Sequence, residues 1–193
     1  MVIPVKHDKP EQRNRITMRQ RITIVIGITA LALIATSAAL AATLTATATV
    51  GTGSLSLTHA ATASLSSTLD GTDQTVNYSP VLSVVDSRGS GAGWNLTVSA
   101  TNFSDGSGHT LAPGTITGAS AVCKAGSSCT AATSSGISYP LTVNGTAAKL
   151  FNAAVNTGLG KIDVTPTFAV SVPGNAYAGT YTSTVTLASV SGP

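Results

Sequence analysis

After residue 21, two histidines, five aspartates, two cysteines and one tryptophan carry most of the side-chain chemistry available to this chain. His59 and His109 each stand apart from any second ligand at helical or hairpin spacing. His109 follows Asp105-Gly106-Ser107-Gly108, a turn sequence, and reads as a solvated loop histidine. A Ser-His-Asp triad would put its serine on a sharp elbow, but no G-x-S-x-G occurs and serine is too frequent to be informative. Acid/base work on a glycosidic bond would have to come from Asp70, Asp73, Asp86, Asp105 and Asp163 with no glutamate beside them. Asp70 and Asp73 flank Gly71 but lack the alternating oxygen ligands of a calcium loop. The glycine-rich residues 89–93 lead into a strand, not into a helix whose N-terminus could hold phosphate, and read as a tight bend or bulge. The expectation is a protein with no catalytic residue, no metal and no cofactor.

Cys123 and Cys129 enclose five residues and favour a small disulfide-closed loop in an oxidising compartment. A metal site is the rival reading, weakened by a spacing that is not C-x-x-C and by the lack of a nearby histidine. Trp94 has two readings. It fills a core, as its place on the apolar parity of a strand favours, or its ring lies at the end of the fold and stacks on a sugar.

The elements that must hold these residues are strands. In residues 161–172, Ile162, Val164, Pro166, Phe168, Val170 and Val172 share one parity, which makes a strand with one buried face. Pro166 lacks an amide donor, so this strand is expected at an edge or with a bulge. Residues 94–100 repeat the pattern through Trp94, Leu96, Val98 and Ala100, residues 137–143 through Ile137, Tyr139, Leu141 and Val143, and a last segment through Tyr181, Val185 and Leu187. Residues 76–78 and 81–85 suggest two more strands, and residues 54–57 and 61–69 weaker ones. Residues 147–155 alone offer a helical pattern, and residues 102–135 read as one long loop insertion. The fold class is all-β, an antiparallel β-sandwich of Greek-key type, preceded by an N-terminal signal helix.

Charge is concentrated at one end. Lys6, Lys9, Arg13, Arg15, Arg19 and Arg21 hold six of the ten basic residues, and from residue 22 onward four basic and five acidic residues leave a net −1. Nucleic-acid binding needs a basic face that the body lacks. With 42% hydrophobic and 9% charged residues, the composition is also that of a folding chain, not of a disordered one. A basic segment, an uncharged run over residues 22–42 and Ala39-Leu40-Ala41 together read as a signal peptide over residues 1–41, cleaved between Ala41 and Ala42. The alternative is an uncleaved anchor, the one route by which the protein would contact a membrane. Residues 42–53 form an extended tether or edge strand, and residues 54–193 form a single domain. The outward faces carry Thr and Ser in place of Lys and Glu, so strand edges have few of the usual guards against pairing. No hydrophobic tail or covalent wall-sorting motif ends the sequence, so retention at a surface is expected to be non-covalent.

Several segments then match a known pattern in order: Asp86-Ser87-Arg88-Gly89, Gly93-Trp94-Asn95-Leu96-Thr97-Val98, Pro140-Leu141-Thr142-Val143, Val172-Pro173, and Ala176-Tyr177-Ala178-Gly179-Thr180-Tyr181 running on to Thr186. From about Val76 to the C-terminus the chain resembles the WxL domain of Gram-positive surface proteins, with Trp94-Asn95-Leu96 as the motif that names it. The resemblance implies a β-rich, secreted, cell-surface protein that binds peptidoglycan non-covalently, often beside other surface proteins. Trp94, Asn95, Leu96 and Tyr181 become the wall-binding candidates. The second Trp-x-Leu of the family falls here on Leu187-Ala188-Ser189, which keeps an apolar side chain and removes an indole. Two functions follow: wall binding without catalysis, and a structural subunit that assembles through exposed strand edges.

Overall fold

The structure, a computed structural model, describes residues 46–193. The signal segment, the Ala41/Ala42 cleavage position and the first part of the tether lie outside the described residues. Contacts cluster residues 48–193 as one unit.

Every regular element among the described residues is a strand: β1 (Leu55–His59), β2 (Gln74–Tyr78), β3 (Leu82–Asp86), β4 (Trp94–Ala100), β5 (Phe103–Ser104), β6 (Thr110–Leu111), β7 (Thr115–Cys123), β8 (Leu141–Thr142), β9 (Ala148–Ala153), β10 (Gly160–Val172) and β11 (Val185–Ser191). All pairings are antiparallel. The larger sheet runs β1-β3-β10-β7-β8 with β2 also on β10; the second runs β11-β4-β9; β5 and β6 make a short hairpin. Both larger sheets contribute to one buried cluster. Leu82, Val84, Ile116, Ile162, Val164 and Phe168 enter it from the first, and Trp94, Leu96, Val98, Leu150 and Phe151 from the second.

β10 shows why alternation is so legible. Ile162, Val164, Pro166, Phe168 and Val170 are all buried, while the residues between them are not. The strand is nonetheless interior, which corrects the expectation of an edge. β3 pairs with Gly160 to Val164 and β2 with Phe168 to Val172, so Pro166 sits where neither strand needs a donor from it. On the other side the register against β7 shifts between Thr167 and Phe168 and leaves Thr117 unpaired, so there is a bulge close to Pro166 but it lies in β7 and not in β10.

That bulge also hides a strand. Residues 102–135 are not one loop, because they contain the β5/β6 hairpin and the nine-residue β7. The inward residues of β7 are Ile116 opposite Phe168, then Ala119 opposite Pro166 and Ala121 opposite Val164. The shift switches parity after one large side chain, so period two never accumulates in the sequence. β9 hides in the same way. Residues 147–155 hold a strand and not a helix, and a register shift between Leu96 and Thr97 leaves Leu150, Phe151, Asn152 and Ala153 all buried in succession. Residues 137–143 yield only the two-residue β8, although Val143 is buried and Tyr139 Oη donates to Leu150 O at 2.5 Å. Residues 61–69 and 46–53 form no strand, and Tyr181 lies outside β11.

Cys123 and Cys129 form a disulfide with Cα atoms 5.7 Å apart. It closes the turn at the end of β7 against the start of β10, where Cys129 bridges Gly160. Lys124 N donates to Lys161 O and Thr130 N to Leu159 O on either side of it. Cross-linking so short a loop is worth about 2 kcal/mol. In a domain of this size, replacing both cysteines by serine is expected to lower the melting temperature by roughly 4–8 °C, read by calorimetry. An unchanged melt would show that the flanking hydrogen bonds alone hold the turn.

Candidate functional site

At one end of the two sheets, β3 hands the chain to β4 through residues 87–93. Asp86 is 2% exposed and accepts two bonds from the Arg88 guanidinium, Nε at 2.9 Å and Nη2 at 2.8 Å. Arg88 continues to Gly93 O at 2.7 Å and Ser191 Oγ at 2.5 Å, joining the end of β3, the start of β4 and the end of β11. The guanidinium holds the Asp86 carboxyl below its ordinary range, against the opposing effect of burial. Gly93 has φ +71°, and a Cβ there would sit 2.5 Å from Ala153 O, so the bend between Arg88 and Trp94 needs glycine at this position.

Trp94 is completely buried. Its Nε1 donates to Gly158 O at 2.9 Å, and its ring lies 6.0 Å from that of Phe151, tilted by 37°. Leu96 is equally inaccessible, and Asn95 is 5% exposed with Nδ2 donating to Gly192 O at 2.8 Å. The motif is therefore built into the core, and a glycan cannot stack on the indole of the folded protein. Of the four wall-binding candidates, only Tyr181 is not buried.

Tyr181 belongs to a cluster on the β5/β6 hairpin and the approach to β11. Asp105 Oδ1 accepts from Ser107 N at 2.8 Å and His109 N at 3.0 Å, and His109 Nδ1 lies 2.6 Å from Asp105 Oδ2. His109 therefore does not stand free in a solvated loop. Its ring stacks on Tyr177 with centroids 3.8 Å apart and planes within 18°. Tyr181 Oη donates to Tyr177 O at 3.0 Å. The hydrogen bond with His109 lowers the Asp105 pKa, while desolvation and the Asp105 charge raise that of Tyr181, which stays a phenol. Tyr177 is 65% exposed. One face of its ring is held by His109 and the rest is open beside a depression of about 240 Å³ that also touches Pro173 and Asn175. The i, i+4 spacing of Asp105 and His109 across a glycine turn was the available signal. Tyr177 carried none, because its partner comes from a hairpin more than sixty residues earlier.

The other carboxylates are also in use. Asp70 accepts from Thr72 N and Oγ1, Asp73 from Gly174 N, and Asp163 from Ser83 Oγ at 2.5 Å with Lys124 nearby. Among the described residues no three His, Cys, Asp or Glu side chains gather as metal ligands would.

A family model for the WxL domain, described as surface cell wall-binding, matches residues 35–188. The chain belongs to that family. No curated protein and no solved structure matches it. WxL membership makes this a cell-surface, wall-associated protein. The WxL tryptophan is the buried Trp94, and Leu187, where the second motif would fall, is half-buried opposite Val98. Leu187 also lines a cavity of about 850 Å³ with Tyr78, Phe103 and Phe168.

Proposed function

We propose that this is a non-enzymatic secreted protein of Gram-positive type that binds peptidoglycan non-covalently, beside other surface proteins. In this reading the two larger sheets are the layers of a β-sandwich, and cleavage after Ala41 releases the domain from its signal segment. The observation that carries it is the exposed Tyr177 ring, braced by His109 and Asp105, on a member of a wall-binding family. A rigid aromatic face suits a sugar, because the ring covers the apolar face of a pyranose while Thr110 and Asn175, on the same depression, are available to its hydroxyls. The structural engagement of all five aspartates supports the absence of catalysis, since none is paired with another as an acid and a base would be.

Co-sedimentation with purified peptidoglycan tests the reading. The protein is expected to pellet with little dependence on salt, since a net charge of −1 after residue 21 supplies no counterion release. Tyr177→Ala is expected to weaken binding roughly 3–10-fold, the size of one lost aromatic contact, with only a small fall in melting because the ring is mostly outside the core and loses one stack, on His109. Full retention of binding by this variant would remove Tyr177 from the site, and a wild-type protein that stays in the supernatant at low salt would refute peptidoglycan as the ligand.

A further inference from the structure

We infer that the free outer edge of β2 is an acceptor slot for an extended strand, and that its occupant is the segment preceding β1 of a second copy of this chain. The argument begins with register. β3 and β2 pair with β10 without any slip between them: Leu82 faces Val164 and Tyr78 faces Phe168, so they behave as one strand interrupted at residues 79–81. β1 lies on the outer edge of β3, with Leu55 opposite Asp86 and His59 opposite Leu82. Carried forward, that register would set Ala63 against Tyr78, Leu65 against Val76 and Ser67 against Gln74. No such ladder forms. Residues 60–73 are in no strand, and their ties to β2 are the side-chain contacts of Gln74 with Ser67 and with Thr68 O. Among the described residues β10 alone pairs with β2.

The space left open is the cavity of about 850 Å³. Its lining is residues 59–69 along one side, residues 176–183 along another, Val76 and Tyr78 on β2, and Val185 and Leu187 on β11, with no Asp, Glu, Lys or Arg. An unpaired, uncharged strand edge above an apolar cavity is the geometry of strand addition, in which backbone bonds give affinity and alternate side chains enter the cavity. The strand itself carries no charge and no proline; Asp73 and Pro80 lie just outside its two ends.

Residues 48–52 have matching properties. Ala-Thr-Val-Gly-Thr is as long as β2, uncharged, fully exposed and in no strand, and Val50 is 92% exposed. Ala48 and Val50 share a parity and are small enough for the cavity. Gly53 N donates to Ser87 O, which fixes the segment at the far end of β3 from β2. The length of β1 separates the two, about 17 Å at ~3.4 Å per residue. To return to its own β2 the segment would have to reverse and spend its whole reach on the journey. A neighbour's slot has no such restriction. Reciprocal donation between two copies closes a dimer, and unreciprocated donation is heterologous and builds longer head-to-tail assemblies.

Sedimentation velocity of the protein over a wide concentration range tests this. Wild type is expected to form dimers or longer oligomers as concentration rises, the β2 amides to gain hydrogen-exchange protection with them, and excess peptide of sequence ATVGT to return the protein toward monomer. Val50→Asp puts a charge on a side chain that touches nothing in the monomer, so melting stays unchanged while at least tenfold more protein is needed for the same oligomer fraction. Peptidoglycan binding of the monomeric variant is expected at the wild-type level, which separates this proposal from the previous one. A strict monomer at ~1 mM, or oligomers indifferent to Val50→Asp and to the peptide, would overturn it.

Discussion

Trp94→Ala is expected to lower stability by about 3–5 kcal/mol, the range for removing a fully buried aromatic side chain. The indole is inaccessible to solvent, packs on Phe151 and reaches across to Gly158. Its removal opens a cavity bounded by backbone on several sides. Gly158 has φ +74°, and a Cβ there would lie 2.7 Å from the indole nitrogen, so this loop is already pressed against the ring and cannot collapse inward with a larger residue. The substitution also strands the Gly158 carbonyl without its donor, at a further cost of about 1–3 kcal/mol if no water replaces it. Domains of this size have about 5–15 kcal/mol in total. The alanine variant is therefore expected to reach the surface in reduced amount and to melt early. Trp94→Phe separates structure from recognition. It keeps most of the volume and loses the hydrogen bond, so a fall of about 1–2 kcal/mol is expected. With the indole buried, the folded Phe variant should pellet with peptidoglycan at wild-type affinity. A tenfold loss of binding by a folded Phe variant would mean that the WxL motif opens onto its ligand.

The contrast between Trp94 and Tyr177 shows which parts of this protein its sequence discloses. Trp94 lies in an unbroken alternation from Trp94 to Ala100, and β4 forms over those seven residues. β10 and β3 are legible for the same reason, because each buries a regular set of large side chains against the shared core. β7 and β9 were missed because a single shifted residue in each changes which parity faces inward. Periodicity is a local signal, and a bulge is set by the partner strand. The disulfide was legible from short spacing, since the five residues between the cysteines limit the geometry to a turn. The Asp105, His109, Tyr177 and Tyr181 cluster was legible only in its local half. Asp105 and His109 share a turn, whereas the stack of His109 on Tyr177 depends on how residues 173–184 fold back along the hairpin, where Ser104 and Thr182 exchange backbone bonds. Pairing between segments so distant follows from topology, which composition does not carry.

The Asp86–Arg88 pair is expected to produce the second large effect. Asp86→Ala leaves the guanidinium, only 18% exposed, without its counter-charge, and breaking a buried pair from one side costs about 3–5 kcal/mol. A domain of about 150 residues loses 2–4 °C per kcal/mol, so the melting temperature should fall by roughly 10 °C. Replacing both residues by leucine should cost less than Asp86→Ala alone, since it removes the stranded charge together with the pair. Acid gives an independent reading of the same interaction. Arg88 lowers the Asp86 pKa in the folded protein, so the pair's contribution is complete above the unfolded-state value of about 4 and is lost as pH falls through the lower folded value. The gap in stability between wild type and Asp86→Asn should thus be constant from pH 7 to about pH 5 and close progressively below pH 4. A gap that keeps its size in acid would assign the destabilisation to packing in the bend at residues 87–93, and the charge pair would then be an accessory to the fold instead of the clasp that joins β3, β4 and β11.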